Sequence, residues 1–139
     1  MIERLELTEH LRVTLSDEAR RAYPRECCGL IEGVCDGSVA RATALHPTAN
    51  LAAAPDRFEV DPAAHIALLR RLRGSGRSVI GCYHSHPNGK SGPSARDLES
   101  AAEEGFLWLI AALEKRDTEP HLAGFVSTGR SFVAVRMEA

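Results

Sequence analysis

Apolar residues recur along the first third of the chain with two different spacings, which predict strands and one helix. The segment 5–22 predicts a short strand followed by a helix, and Pro24 stops that helix just beyond its end. The apolar residues of the helix share one face: Leu11, Leu15, Ala19 and Ala22. The apolar run 27–31 predicts a buried strand, and the weakly alternating run 39–45 predicts its antiparallel neighbour.

The middle of the chain continues this alternation. A loop that contains two prolines leads to the run 58–60, which predicts a short strand. Asp61 followed by Pro62 is the preferred start of a helix, because aspartate caps free backbone N–H groups and proline fits the first helical position. This helix ends at 74–76 and turns three apolar residues inward: Ala64, Leu68 and Leu72.

The last third predicts four strands and one helix. The strands are short apolar or alternating runs: 79–85, 106–113, 122–127 and 131–136. The run 106–113 is apolar throughout and predicts a central strand, whereas the last two runs form a terminal hairpin. Ser94 opens a helix that extends from 95 to about 104. The fold class is therefore α/β or α+β, with helices flanking a mixed sheet.

Length and charge narrow the range of functions. A chain of 139 residues predicts a single domain over 1–139 with ordinary globular composition, 44% apolar and 26% charged. A net charge of −2 does not supply the concentrated basic field that nucleic acid requires. No run of 18 apolar residues and no signal-peptide core occurs, so we expect no membrane segment and a cytoplasmic location. The sequence does not indicate the oligomeric state.

Four cysteines are spread over the chain without a C-x-x-C pair or the spacing of a zinc finger: Cys27, Cys28, Cys35 and Cys82. This usage is typical of a reducing compartment. The adjacent Cys27 and Cys28 point to opposite faces of a strand, so they are poor joint ligands. We predict that all four are small thiols that fill the core.

Two histidines and an aspartate form the most informative cluster. His84 and His86 are two residues apart at the end of a predicted strand, so both imidazoles project to the same side. Asp97 follows in the first turn of the next helix, and the glycine- and proline-rich loop between them folds that turn back towards the strand. Two imidazoles and one carboxylate are a three-ligand set for Zn²⁺ that leaves a fourth position for water, which is typical of a catalytic site.

These residues also have simpler explanations. A single H-x-H pair is a weak signal, and Ser94-x-x-Asp97 is similar to a capping box at the start of a helix. An aspartate in the first turn is favoured by the helix dipole alone. In isolation, the residues leave a metal site and a helix cap open as alternatives. Ser85 faces away from the two histidines, and three other histidines are interpreted as surface or loop residues: His46, His65 and His121.

The complete pattern resembles the JAMM (MPN+) metallopeptidase family. That family carries H-x-H followed by ten residues and an aspartate, and residues 87–96 supply the ten. The upstream segment Pro24-Arg25-Glu26-Cys27-Cys28-Gly29 is similar to the family's Pro-x-Glu-x-Cys-Gly segment. Residues 50 and 55–62 are similar to the middle of its small bacterial members, so the resemblance extends over roughly 5–135.

The resemblance implies a cytidine-deaminase-like fold, a mixed and mostly antiparallel sheet flanked by helices, with zinc at one end of the sheet. It implies that His84, His86 and Asp97 hold the zinc. It places Glu26 at the family's catalytic glutamate, the general acid and base, and Ser94 at the serine that stabilises the oxyanion. Without the resemblance, Glu26 is an acidic residue between a helix and a strand, where solvated carboxylates are more common than catalytic ones.

The resemblance also implies a substrate class. Small bacterial members act on ubiquitin-like sulfur-carrier proteins, so the expected reaction is hydrolysis of the peptide or isopeptide bond after a C-terminal Gly-Gly. A zinc deaminase would require H-x-E and P-C-x-x-C, and neither occurs here. The remaining alternative is a non-catalytic MPN-type scaffold or a module that binds ubiquitin-like proteins. Measuring bound zinc distinguishes this alternative from a peptidase.

Overall fold

A computed structural model describes residues 1–101 and 103–139. Over this part of the chain it contains seven strands and three helices: β1 (Arg4–Glu6), α1 (Glu9–Ala22), β2 (Cys28–Asp36), β3 (Val39–Thr48), α2 (Pro62–Leu72), β4 (Ser78–His86), α3 (Ala95–Ser100), β5 (Leu107–Ala112), β6 (His121–Ser127) and β7 (Phe132–Glu138). The predicted α+β class is confirmed. None of the described helices has the length and apolar character needed to cross a membrane.

The strands form one closed sheet in the order β1-β3-β2-β4-β5-β6-β7. Four of the pairings are antiparallel, while β4 runs parallel to β5. The sheet closes because β1 pairs in parallel with both β3 and β7, so that Leu5 lies beside Ala40 on one side and Met137 on the other. The mixed, mostly antiparallel sheet was predicted, but its closure was not.

Apolar residues cover both faces of the central strands. In β5, Leu107 and Leu109 belong to the core cluster under α1, whereas Trp108 faces the cluster under α2. Alternate residues of a strand point to opposite faces, so a strand covered on both sides reads as one continuous apolar run. This explains why 106–113 carried no alternation in the sequence.

Neighbouring strands approach closely where Gly29 of β2 lies against Tyr83 of β4. A Cβ atom on Gly29 would lie 2.3 Å from Cζ of the Tyr83 ring. The absence of a side chain therefore makes room for Tyr83, which is fully buried and donates a hydrogen bond of 2.7 Å to Glu18. The start of β2 and the end of β4 are thus fixed next to each other.

One predicted strand does not form, and one predicted helix is shorter than expected. The run 58–60 forms no regular strand, since only an isolated bridge joins Val60 to Asn50 while Phe58 turns its ring onto His84. The helix predicted over 95–104 ends at Ser100. There the N–H of Ala101 donates to the Leu98 carbonyl, a tighter turn that leads the chain towards β5. Residue 102 of that predicted helix lies outside the described residues.

Two predictions about single side chains also need correction. Cys27, Cys28 and Cys82 are buried as predicted, but Cys35 is exposed because β2 extends beyond the core at its far end. His46 is neither a loop residue nor a purely surface one. It belongs to β3, and its Nε2 lies 2.8 Å from the carboxylate of the buried Glu32.

Candidate metal centre and its cleft

The end of β4 holds both histidines of the H-x-H pair. β4 lies between β2 and β5, and His84 is paired with Cys28 on one side and Ile110 on the other. The strand backbone is therefore fixed where the two side chains leave it. His84 is fully buried, and His86 is 4% exposed.

Asp97 reaches this pair from the first turn of α3. Its Oδ2 lies 3.2 Å from Nε2 of His84 and 3.1 Å from Nε2 of His86, and the two Nε2 atoms are 2.9 Å apart. The same oxygen accepts the N–H of Ser94, and the N–H of Asp97 donates to Oγ of Ser94. This capping box and the three-residue cluster coexist, so the two interpretations left open by the sequence are compatible.

A hydrogen bond outside the cluster shows which nitrogen atom of His86 carries its proton. Nδ1 of His86 lies 2.8 Å from the carbonyl oxygen of Lys90, which only accepts, so Nδ1 carries the proton. In the neutral ring Nε2 then offers its lone pair to the cluster. Within the described residues, Nδ1 of the buried His84 has no hydrogen-bond partner. The His84 ring stacks on Phe58, with centroids 4.1 Å apart.

The three ligand atoms fit a small divalent cation. Tetrahedral zinc with bonds of 2.0–2.1 Å holds its ligand atoms about 3.3 Å apart, close to the separations found here. Burial lowers the pKa of His84, which favours the neutral, ligating form. Burial would raise the pKa of Asp97, but its close contacts with the imidazoles of His84 and His86 outweigh it and hold the pKa well below its ordinary value. Zinc therefore suits both the spacing and the chemistry of these donors.

Glu26 lies beside this cluster, just before β2, and is 7% exposed. In the described part of the chain its carboxylate has no hydrogen-bond partner. Its pKa is raised to about 7, and burial is the main cause. The charges of Asp97 and Asp56 also raise this pKa, whereas those of His86 and Arg96 lower it. A carboxyl group with this pKa exchanges protons near neutral pH, as general acid–base catalysis requires.

A cleft runs past Glu26 and Ser94. It consists of two adjoining cavities of about 210 and 310 Å³, and Glu26, Ser94, Asp56 and Arg96 line both. Asp56 and Arg96 form an ion pair of 3.4 Å that links the 51–60 loop to α3. Ser94 is exposed to the cleft, and its Oγ accepts a hydrogen bond in the cap. Its hydroxyl proton is thus left for another acceptor.

Sequence reasoning missed several contacts that shape the site. Ser85 is buried, and its Oγ accepts the N–H of Cys27 at 2.8 Å, while its own N–H donates to the Cys27 carbonyl at 3.1 Å. This pair of hydrogen bonds ties the residue after Glu26 to the strand that carries both histidines. The stacking of Phe58 on His84 was also missed. In both contacts the two residues are far apart in the sequence, so no local sequence pattern could have predicted either contact.

The chain is similar to several known proteins. Residues 8–123 match the family described as prokaryotic homologs of the JAB domain. A desampylase from Haloferax volcanii is 34% identical over 126 residues, which cover 87% of this chain and 89% of that protein. A CysO-cysteine peptidase from Mycobacterium tuberculosis is 27% identical over 103 residues, covering 74% and 68% of the two chains. A solution structure of a Desulfitobacterium hafniense protein matches with a TM-score of 0.84 and 28% identity, covering 96% of this chain and 90% of that one.

Proposed function

This chain belongs to the family of prokaryotic homologs of the JAB domain, and we propose that it is a zinc-dependent peptidase of the JAMM type. Its substrate is the peptide or isopeptide bond after the C-terminal Gly-Gly of a ubiquitin-like or sulfur-carrier protein. One observation carries the proposal: three lone-pair donors converge at the end of β4 beside a buried glutamate whose carboxylate has no hydrogen-bond partner among the described residues. The names of the relatives, desampylase and CysO-cysteine peptidase, support the substrate class.

His84, His86 and Asp97 would hold the zinc ion. When bound, zinc supplies a Lewis acid for the scissile carbonyl and lowers the pKa of a water molecule. The chain prepares for this role by keeping His84 neutral through burial and by fixing the His86 tautomer through the Lys90 carbonyl. A hydrogen bond that a ligating imidazole donates to a neighbouring carbonyl group orients the ring.

Glu26 acts as the general base and then as the general acid. It accepts a proton from the attacking water and later delivers it to the nitrogen of the leaving amine. Its burial favours this cycle, because a carboxyl group whose pKa lies near 7 accepts and releases protons at neutral pH. Because the same carboxyl group accepts the proton and later releases it, the reaction needs no additional acid in the cleft.

Ser94 donates its hydroxyl proton to the oxyanion that develops on the scissile carbonyl. This role is compatible with its position in the capping box, where only its oxygen is used. A preorganised donor aimed at the developing charge stabilises the transition state more than the ground state. Arg96 and Asp56 lie beside it and line the path of the substrate.

The proposal is tested by zinc content and turnover in the same preparations. We expect about one zinc per chain in the wild type after dialysis against metal-free buffer, and none in His84→Ala. Ubiquitin-like carriers with a Gly-Gly tail and an amide-linked reporter should be cleaved by the wild type alone. A wild type that neither contains nor takes up zinc would exclude the peptidase and leave a non-catalytic scaffold. A zinc-loaded wild type that cleaves none of the carriers would exclude the substrate class.

A further inference from the structure

The 51–60 loop forms one wall of the cleft although it contains no regular strand. Phe58 stacks on His84, Asp56 pairs with Arg96, and Arg57 lines the smaller cavity. A loop that contributes this much to a cleft needs anchors to hold it. The most connected anchor is the side chain of Asn50, at the point where the loop begins.

Asn50 uses the full hydrogen-bonding capacity of its amide. Its Nδ2 donates to the carbonyl oxygens of Glu26 and Arg57, both at 2.9 Å. Its Oδ1 accepts the N–H groups of Ala52 at 3.0 Å and Glu59 at 2.9 Å. An asparagine amide offers two donor protons and two acceptor lone pairs, so all four are engaged.

An ordinary turn explains only one of these four contacts. The bond from the Ala52 N–H is the local pattern by which an asparagine stabilises a turn two residues on. The bonds to Arg57 and Glu59 close the loop across its base. The bond to Glu26 crosses 24 residues of sequence and joins the loop to the backbone of the proposed general base.

We infer that Asn50 is a positioning residue for the proposed hydrolysis, through the hydrogen bonds that hold the Glu26 backbone and the 51–60 loop in one arrangement. Within the described residues, it is the one side chain that hydrogen-bonds the Glu26 residue itself. Glu26 then keeps a fixed place relative to both the histidine cluster and the cleft wall. A displacement of about 1 Å between reacting groups lowers rates by roughly 10²-fold. The inference rests on the proposed function but makes its own structural prediction.

Two substitutions distinguish the role of the amide nitrogen of Asn50 from that of its amide oxygen. Asn50→Ala removes all four hydrogen bonds, whereas Asn50→Asp keeps acceptors for the Ala52 and Glu59 N–H groups and loses the donors to Glu26 and Arg57. Both should retain zinc, because Asn50 contacts none of the three ligands. We expect kcat per bound zinc to fall roughly 10²-fold in both variants. KM should rise in Asn50→Ala, where the loop is also released.

Amide hydrogen exchange supplies a readout that does not depend on turnover. The N–H groups of Ala52 and Glu59 should exchange faster in Asn50→Ala and remain protected in Asn50→Asp. Glu32→Gln is the matched control, since it also removes hydrogen bonds of a buried side chain but lies outside the cleft. It should keep the wild-type kcat.

The possible outcomes separate this inference from the proposed function. Wild-type kcat in a zinc-loaded Asn50→Ala would overturn the inference and leave the peptidase intact. A wild type that cleaves no carrier would overturn the proposed function, and exchange at Ala52 and Glu59 would then decide whether Asn50 anchors the loop. Unchanged exchange in Asn50→Ala would overturn the inference in either case.

Discussion

Two buried glutamates on the same stretch of chain have opposite environments. Glu26 precedes β2 and Glu32 lies within it, and the two are almost equally buried, 7% and 8% exposed. Glu32 is surrounded by hydrogen-bond donors: His46 at 2.8 Å, Arg77 at 2.6 Å and Thr43 at 3.2 Å. In the part of the chain that the structure describes, the carboxylate of Glu26 has none.

The pKa values of these two carboxyl groups are shifted in opposite directions. Burial raises the pKa of Glu26 to about 7, because few interactions oppose it. Burial would raise the pKa of Glu32 too, but hydrogen bonds from His46, Arg77 and Thr43 outweigh it and lower that pKa. A saturated carboxylate remains ionised and serves the structure, whereas an unpartnered one beside a cleft can carry protons. The environments of the two side chains thus distinguish Glu32, a structural residue, from Glu26, a catalytic candidate, without any comparison with related proteins.

The largest expected effect on turnover comes from changing Glu26 to glutamine, with Glu32→Gln as its comparison. Glu26→Gln should lower kcat/KM by roughly 10²–10⁴-fold and keep its zinc, since general acid–base catalysis is lost while the ligands remain. Glu32→Gln should leave kcat/KM close to the wild-type value. Both are measured on zinc-loaded protein with a carrier substrate. An active Glu26→Gln would remove Glu26 from the mechanism, and an inactive, folded Glu32→Gln would show that the comparison is wrong.

A smaller effect is expected from Ser94, which lines the same cleft as Glu26. Ser94→Ala removes the proposed donor to the oxyanion and should lower kcat roughly 10²-fold. It also removes the helix cap, which costs about 1 kcal/mol of stability. Ser94→Thr keeps both the hydroxyl donor and the cap acceptor and should recover most of the activity. If Ser94→Ala loses stability but keeps the wild-type kcat, Ser94 only caps α3.

The smallest effect is on stability, and its dependence on pH should have opposite signs for the two glutamates. The lowered pKa of Glu32 stabilises the folded state above the ordinary value of 4.5, and this contribution is lost as the pH falls through the folded-state pKa. The free energy of unfolding should therefore exceed that of Glu32→Gln by about 1–3 kcal/mol near neutral pH, and the difference should shrink in acid.

For Glu26 the sign reverses. Its raised pKa favours folding below 4.5, and that contribution is lost as the pH rises through about 7. In metal-free protein, Glu26→Gln should thus gain stability relative to the wild type as the pH rises. Denaturant unfolding at several pH values measures both differences. Parallel curves for the two variants would contradict the assignment of opposite environments.

Features with a local cause were predictable from the sequence. The period of the apolar residues predicted α1, α2 and most of the strands, and Asp61 with Pro62 predicted the start of α2. The spacing of His84, His86 and Asp97 predicted that they would meet, because a strand end, a loop and a helix start determine that geometry. The resemblance to JAMM metallopeptidases, drawn from separate motifs, is confirmed by the family match.

Features that depend on distant partners were not predictable. The run 58–60 can form a strand only if a neighbouring strand pairs with its backbone. A pattern of three residues does not indicate whether such a neighbour exists. Glu32 meets Arg77 across 45 residues, and Ser85 meets Cys27 across 58. Residues of these types are common in every part of a protein. Only the folded structure therefore shows which partner each one has.

The closed sheet depends on its shortest strand. β1 has three residues, yet it pairs with β3 on one side and β7 on the other. Detaching it would expose the unpaired N–H and C=O groups of two long strands at once, and such strands template pairing between molecules. Protection of this protein against ordered aggregation therefore depends on the three residues of β1, none of which belongs to the candidate metal centre.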